Sequence, residues 1–240
     1  MWMPNALVSE GREYCGNVWR VVEAQHRIST NRLAGSLEEQ ARLEALADLV
    51  KPDLPKAAGG LHYLLSSPFR YGYGCASRFR RASERPGIFY ASESEATAIA
   101  ENAYWRLRFY SRSPGFVPPS ATSEHTSFTA SIATFGALDL TSEPFCERLD
   151  AWTDPVDYTA CQDLAAAARE AGLALIRSVS ARDPRHGCNV VVLDPAAFCS
   201  PQPSSMRTWH FRVEQGRLSA LAAFPLRDHF VFHAVDFGLP

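Results

Sequence analysis

Apolar residues recur along this chain with two different periods. Residues 17–22, Asn-Val-Trp-Arg-Val-Val, are short, apolar and β-branched, which predicts a strand. Residues 1–16 show no clear period and read as a loose lead-in. Ser36-Leu37-Glu38-Glu39 is a capping-box pattern, and Leu43, Leu46 and Val50 follow at helical spacing before Pro52. Residues 52–87 are rich in Gly, Pro, Ser and Arg and predict one long loop, a length that in compact domains is usually functional or disordered. A strand is expected at 87–91. Ser92 and Glu95 then form a second capping box, opening a helix to about Phe109 with Ala96, Ile99, Ala100, Ala103, Tyr104 and Leu107 as its apolar stripe. Residues 113–124 are Pro- and Ser-rich and read as a loop, and 126–140 as extended. Asp157 caps a third helix over 158–171, closed by Gly172. Strands are expected at 174–176 and 190–193, with a polar loop over 178–189 between them. Residues 209–213 and 218–224 read as a hairpin about Gln215-Gly216, and 229–237 as a last extended run. Strands and helices mix without regular alternation, and no Gly-x-Gly-x-x-Gly opens a helix. The fold class is therefore α+β, a single domain, rather than a doubly wound sheet.

Composition changes this picture little. With 240 residues and 46% apolar content the chain can build a sizeable core, which excludes disorder over most of its length. The net charge of −2 argues against a general nucleic-acid binder. Of 24 basic residues only Lys51 and Lys56 are lysines, and arginine is the better residue for a forked grip on phosphate or carboxylate. None of the six cysteines sits in a C-x-x-C pair, so reduced thiols are expected, with Cys161 in the core. The N-terminus shows no secretory pattern and no stretch is apolar enough to cross a membrane, which points to the cytoplasm.

The candidate chemistry falls in two groups. Arg78 ends the long loop, Tyr90 lies on the next strand, and Glu101 lies on the following helix. A loop, a strand and a helix in succession can aim three side chains into one cleft. Taken singly, each has a plain reading: a surface arginine, a packing aromatic, a solvated helix carboxylate. The second group is Arg177-Ser178-Val179-Ser180-Ala181-Arg182-Asp183-Pro184 with Asn189, between two apolar strands, where a plain polar connection is the alternative.

These ordered motifs resemble those of the RES-domain proteins, toxin components of bacterial toxin–antitoxin pairs of the Xre-RES type. The match places the arginine in Ser77-Arg78-Phe79, a tyrosine strand in Gly87-Ile88-Phe89-Tyr90, the glutamate helix in Thr97-Ala98-Ile99-Ala100-Glu101, and the serine loop in Val179-Ser180-Ala181 with Asn189. Gln25-His26-Arg27-Ile28-Ser29 and Ser67-Pro68-Phe69-Arg70-Tyr71 look like the family's longer branch. The resemblance runs from about Val18 to Trp209, with an N-terminal extension at 1–16, the RES domain at 17–240 and its core motifs at 70–195. Two points stay open. Arg80 stands where many members carry an asparagine after the aromatic. Ser178 and Ser180 both fit the motif serine, Ser180 the better.

The resemblance implies a fold like that of mono-ADP-ribosyltransferases and a reaction on NAD⁺. The nicotinamide–ribose bond is broken, and water, phosphate or a protein side chain takes the ribose. Glu101 would stabilise the oxocarbenium-like carbon and Arg78 the pyrophosphate, with Arg20, His26 and Arg27 as helpers. Tyr90 would stack on nicotinamide or ribose, and Ser180 and Asn189 would bind a ribose hydroxyl or the carboxamide. Arg80, Arg81 and Arg182 are candidates for a phosphate pocket, the plainer reading of each being a solvated or structural arginine. No metal is implied. The expected partner is an Xre-family helix-turn-helix antitoxin, which would carry the DNA binding, and apolar residues in 209–237 would serve a homodimer or antitoxin interface unless they pack as ordinary strands. Two other classes compete: a non-catalytic binding module on the same fold, and a thiol or serine hydrolase using Cys75 or Ser180 with His186 or His62. Neither a Gly-x-Ser-x-Gly elbow nor a cysteine signature supports the latter.

Overall fold

Three consecutive valines, Val190, Val191 and Val192, are all fully buried and explain the centre of the fold. Side chains alternate faces along a strand. Val191 therefore joins one core cluster and Val190 and Val192 join another, on opposite faces of one sheet. A strand buried on both faces must be covered twice.

The computed structural model describes residues 3–24, 33–112, 115 and 122–239. In chain order the elements are α1 (Pro4–Ser9), β1 (Arg12–Glu23), α2 (Leu37–Leu49), α3 (Tyr63–Arg70), β2 (Phe89–Ser92), α4 (Glu95–Ser111), β3 (Ser123–Asp139), α5 (Leu149–Thr153), α6 (Thr159–Glu170), β4 (Leu175–Val179), β5 (Cys188–Val192), β6 (Ser204–Glu214), β7 (Arg217–Ala222) and β8 (His229–His233). The α+β class expected from sequence is the one observed. The strands form one sheet in the order β1-β2-β5-β4-β3-β6-β7-β8. β1 also pairs with β3 along its length, from Arg12↔Ala137 to Glu23↔His125, so five strands close on themselves. Among the described residues only β3–β4 is parallel.

α1, α5 and α6 cover one face of β4 and β5 through Leu7, Trp152, Cys161 and Leu164. α3 covers the other through Leu64, Leu65 and Phe69. The stripe of α4 packs on β6–β8, where Ile99, Ala103 and Leu107 meet Trp209, Phe211 and Leu218. The inward residues of the C-terminal strands are thus ordinary packing, while Leu221, Phe224, Val231 and Val235 stay exposed. Among the described residues no helix is long and apolar enough to cross a membrane. All six cysteines are free, and Cys161 is buried.

Several local expectations need correction. The lead-in is ordered, because Leu7 of α1 is fully buried and β1 already pairs at Arg12. The 52–87 segment is not one loop. Pro68 lies inside α3 and hides it from a reading that treats proline as a stop, although the removed donor costs only one bond in so short a helix. The cap of α4 is Ser94, which accepts from Thr97 N at 3.1 Å, whereas Ser92 ends β2. Strand pairing extends into the expected polar loop, so Ser178 and Asn189 are strand partners and the loop is only 180–187. The last extended run ends at His233 and turns into a 3₁₀ segment, Ala234–Phe237. The hairpin turn is as expected, with φ of 48° at Gln215 and 71° at Gly216. The 113–124 loop lies largely outside the described residues.

Candidate active site

The carboxylate of Glu101 is held from behind. α4 follows β2, which lies between β1 and β5, and Glu101 meets the end of β4 and the start of β5, where two donors converge on one oxygen. Ser180 Oγ donates to Oε1 at 2.6 Å, and Asn189 Nδ2 donates to the same atom at 2.5 Å. Asn189 is itself oriented, since its Oδ1 accepts from Ser92 Oγ at 2.7 Å. Ser180 Oγ also accepts from Arg182 N at 3.1 Å and Asp183 N at 2.9 Å. With both lone pairs occupied, its single proton has one place to go, the carboxylate.

This geometry settles what Ser180 touches. It is 2% exposed and sits behind Glu101 as the closure of the 180–187 loop, not on the cleft wall. Ser178, the other motif serine, is 1% exposed and its hydroxyl has no partner among the described residues. Replacing Ser180 by alanine leaves two buried backbone N–H groups unpaired, each worth ~1–3 kcal/mol. The expected loss is about 2–3 kcal/mol, measurable as a fall in the denaturant midpoint with unchanged slope.

In front of Glu101 lies a cleft of about 300 Å³. Arg20, Arg78, Tyr90, Glu101 and Asn189 all line it, while Ser180 stands one layer behind. His26 and Arg27 lie outside the described residues. Trp19, Asn102, Trp105, Tyr158 and Arg182 complete the wall. Helical spacing puts Trp105 beside Glu101 at i+4, but sequence reasoning missed Trp19, Asn102 and Tyr158. Of these only Asn102, next to Glu101 on one helix, carried a signal that could have pointed to it.

Each cation is fixed by the fold. Arg78 Nη1 donates to Trp152 O at 2.9 Å and Asp154 O at 2.8 Å, the carbonyl end of α5, and its guanidinium lies 4.8 Å from the Tyr158 ring centre. Arg20 Nη1 donates to Tyr90 O at 2.7 Å, and the group stacks on Phe89. Burial pulls the Arg20 pKa down to about 10, which leaves it charged at neutral pH. Arg182 stacks 3.8 Å from the Tyr104 ring centre and donates to Tyr158 Oη at 3.1 Å. Tyr90 Oη donates to Ser77 Oγ at 2.9 Å and accepts from Phe79 N at 3.0 Å. Burial pushes its phenol up to about 12, so it stays neutral.

Two of the three arginines weighed for a phosphate pocket take the plainer structural or surface role instead. Arg80 is 4% exposed and staples its own loop through the carbonyls of Tyr73, Cys75 and Arg81. Arg81 is on the surface, paired with Asp163 at 2.6 Å. Arg182 alone reaches the cleft. The hydrolase alternative also loses its geometry. Cys75 is exposed and does not line the cleft, His62 caps α3 through Leu64 N, and the partner of the Ser180 hydroxyl proton is a carboxylate rather than a histidine.

The site is therefore an oriented carboxylate facing three guanidiniums and flanked by aromatic walls. Such a site suits an anionic ligand that develops positive charge at one carbon. No group of three or more His, Cys, Asp or Glu side chains among the described residues is placed to hold a metal.

Residues 54–214 match the family model of the RES domain, which is more than half of the chain. No curated protein matches the sequence. A chain in the crystal structure of the M. tuberculosis MbcT–MbcA toxin–antitoxin complex is similar in structure, with a TM-score of 0.45 and 14% identity over 97% of this chain and 94% of that one.

Proposed function

This chain belongs to the RES-domain family, and on that premise we propose that it is the toxin of a bacterial toxin–antitoxin pair and destroys NAD⁺ at the nicotinamide–ribose bond. The observation that carries this reading is Glu101, with both donors on Oε1 and the cationic cleft before it. The substrate matches the cleft in kind. Its pyrophosphate takes the guanidiniums of Arg20, Arg78 and Arg182, and its nicotinamide riboside end lies against Tyr90 and Trp19.

As the C–N bond breaks, positive charge grows on the ribose carbon, as in glycoside hydrolysis. Glu101 stabilises that charge without moving, because Ser180 and Asn189 already hold it. Nicotinamide leaves as a neutral base and takes the bonding pair, so no acid is needed to protonate it. Water or inorganic phosphate then bonds to the ribose carbon, and a proton is released from that acceptor when it is water. Phosphate would enter beside Arg182. The partner is a helix-turn-helix antitoxin that covers the cleft and carries the DNA binding.

The test is to incubate purified protein with NAD⁺, with and without phosphate, and follow nicotinamide by chromatography. Release is expected, with ADP-ribose formed in the absence of phosphate or its 1″-phosphate in its presence. Absence of release under both conditions overturns the reading. Label retained on protein, with no free ADP-ribose product, replaces it by protein ADP-ribosylation.

A further inference from the structure

A second hollow of about 500 Å³ adjoins the cleft, and Asn102 and Trp105 line both. Three of the atoms around it are buried and have no hydrogen-bond partner among the described residues: His125 Nε2, Asn102 Oδ1 and Arg106 Nε. Buried polar groups are normally satisfied, so three orphans in one hollow call for a ligand or ordered water.

Their chemistry is specific. His125 is fully buried on β3, stacked 4.1 Å from Phe211. Its Nδ1 lies 3.2 Å from Ser123 O. A carbonyl only accepts, so Nδ1 carries the proton and Nε2 is an acceptor in the neutral ring. Burial, and after it the Arg106 charge, push the His125 pKa down to about 4, which agrees with a neutral ring. Arg106 uses Nη1 on Glu23 and Nη2 on Ser123, leaving Nε as a donor. The three orphans thus supply two acceptors and one donor, beside the Glu23 carboxylate and Tyr110 and bordered by the rings of Trp105 and Phe109.

We propose that this hollow is an adenine subsite: the 6-amino group of the base donates to His125 Nε2 and Asn102 Oδ1, a ring nitrogen accepts from Arg106 Nε, and Trp105 stacks on its face. The identification of the base rests on the NAD⁺ reading above. The layout supports a dinucleotide. Both hollows run along α4, and Glu101 and Phe109 are about 12 Å apart along its axis at ~1.5 Å per residue. The nicotinamide end would sit at Glu101 and the adenosine end at Phe109.

The same chemistry could come from a free adenine nucleotide, and the experiment separates the sources. Calorimetric binding of AMP and IMP, which differ at the 6-position, is measured on the whole chain. Nicotinamide release is measured in parallel with NAD⁺ and with nicotinamide hypoxanthine dinucleotide. AMP is expected to bind at least about tenfold more tightly than IMP, and KM for the hypoxanthine substrate to rise by a similar factor with kcat nearly unchanged. His125→Phe keeps the stacked ring and removes the acceptor, so it should abolish the AMP–IMP difference. If that variant does not fold, Asn102→Ala, at a partly buried position on α4, reads the same loss. Equal binding of AMP and IMP, or equal KM for the two dinucleotides, overturns the subsite while leaving nicotinamide release intact. AMP preference without any nicotinamide release supports the adenine pocket as a free-nucleotide site and overturns the activity instead.

Discussion

Glu101→Gln is expected to lower nicotinamide release from NAD⁺ by on the order of 10²–10³-fold, with the fold unchanged. The amide is the same size as the carboxylate and can still accept from Ser180 and Asn189 through its oxygen. What it loses is the negative charge facing the ribose carbon. KM should move little, because the substitution leaves untouched the three cleft guanidiniums, Arg20, Arg78 and Arg182, to which the proposed reading gives the pyrophosphate. The effect belongs in kcat, and a matching circular dichroism spectrum and melting curve would exclude a folding cause. Ser180→Ala and Asn189→Ala should fall between wild type and Glu101→Gln, at about tenfold each, since each removes one of two donors to the same oxygen. Release by Glu101→Gln at the wild-type rate would remove Glu101 from the chemistry.

Gly187→Ala is expected to cost about 3–5 kcal/mol of stability and to lower activity with it. A methyl group at this position would overlap Thr97 Oγ1 and lie 2.8 Å from Asp183 Oδ2. Those two atoms are themselves bonded at 2.7 Å, and the Asp183 side chain is 1% exposed. The methyl therefore forces apart a buried, charge-assisted pair, worth ~1.5–3 kcal/mol, and adds an overpacking cost of ~1–3 kcal/mol. The consequence passes to the site through the chain. Gly187 O accepts from Ser180 N at 2.7 Å, so a displaced Gly187 moves the serine that holds Glu101. Urea unfolding should show the lower midpoint, and the same protein below its transition should show a reduced kcat. A variant as stable as wild type would mean that the 180–187 loop gives way without cost.

The sequence carried the identity of the site further than its assembly. Arg78, Tyr90 and Glu101 were recognisable because a loop, a strand and a helix follow one another at short range, and short-range order survives folding. Asn189 came from its place in a polar run between two apolar strands, and the choice of Ser180 over Ser178 came through resemblance. Their roles differ from one another: Asn189 lines the cleft, while Ser180 backs the carboxylate. That distinction depends on two backbone N–H groups two and three residues on, which a residue type cannot disclose. The three arginines Arg80, Arg81 and Arg182 look alike in sequence and have three fates, set by whether carbonyls, a surface carboxylate or an aromatic ring stands opposite. Pro68 misled because a local rule about helices met a helix held by tertiary burial of Leu64, Leu65 and Phe69.

By itself the sequence determined what is local: the class of the fold, most of its strands, the apolar stripe of α4, the hairpin at Gln215-Gly216, and the residue types of the chemistry. Tertiary structure alone decided what is non-local: the closure of β1 on β3, the covering of β5 from both faces, the meeting of Glu101 with residues 79 and 88 positions away, and the orphaned His125 beside Asn102 and Arg106. The physical reason is that periodicity and capping act over a few residues, whereas a hydrogen bond between distant segments exists only once packing has fixed both of its ends.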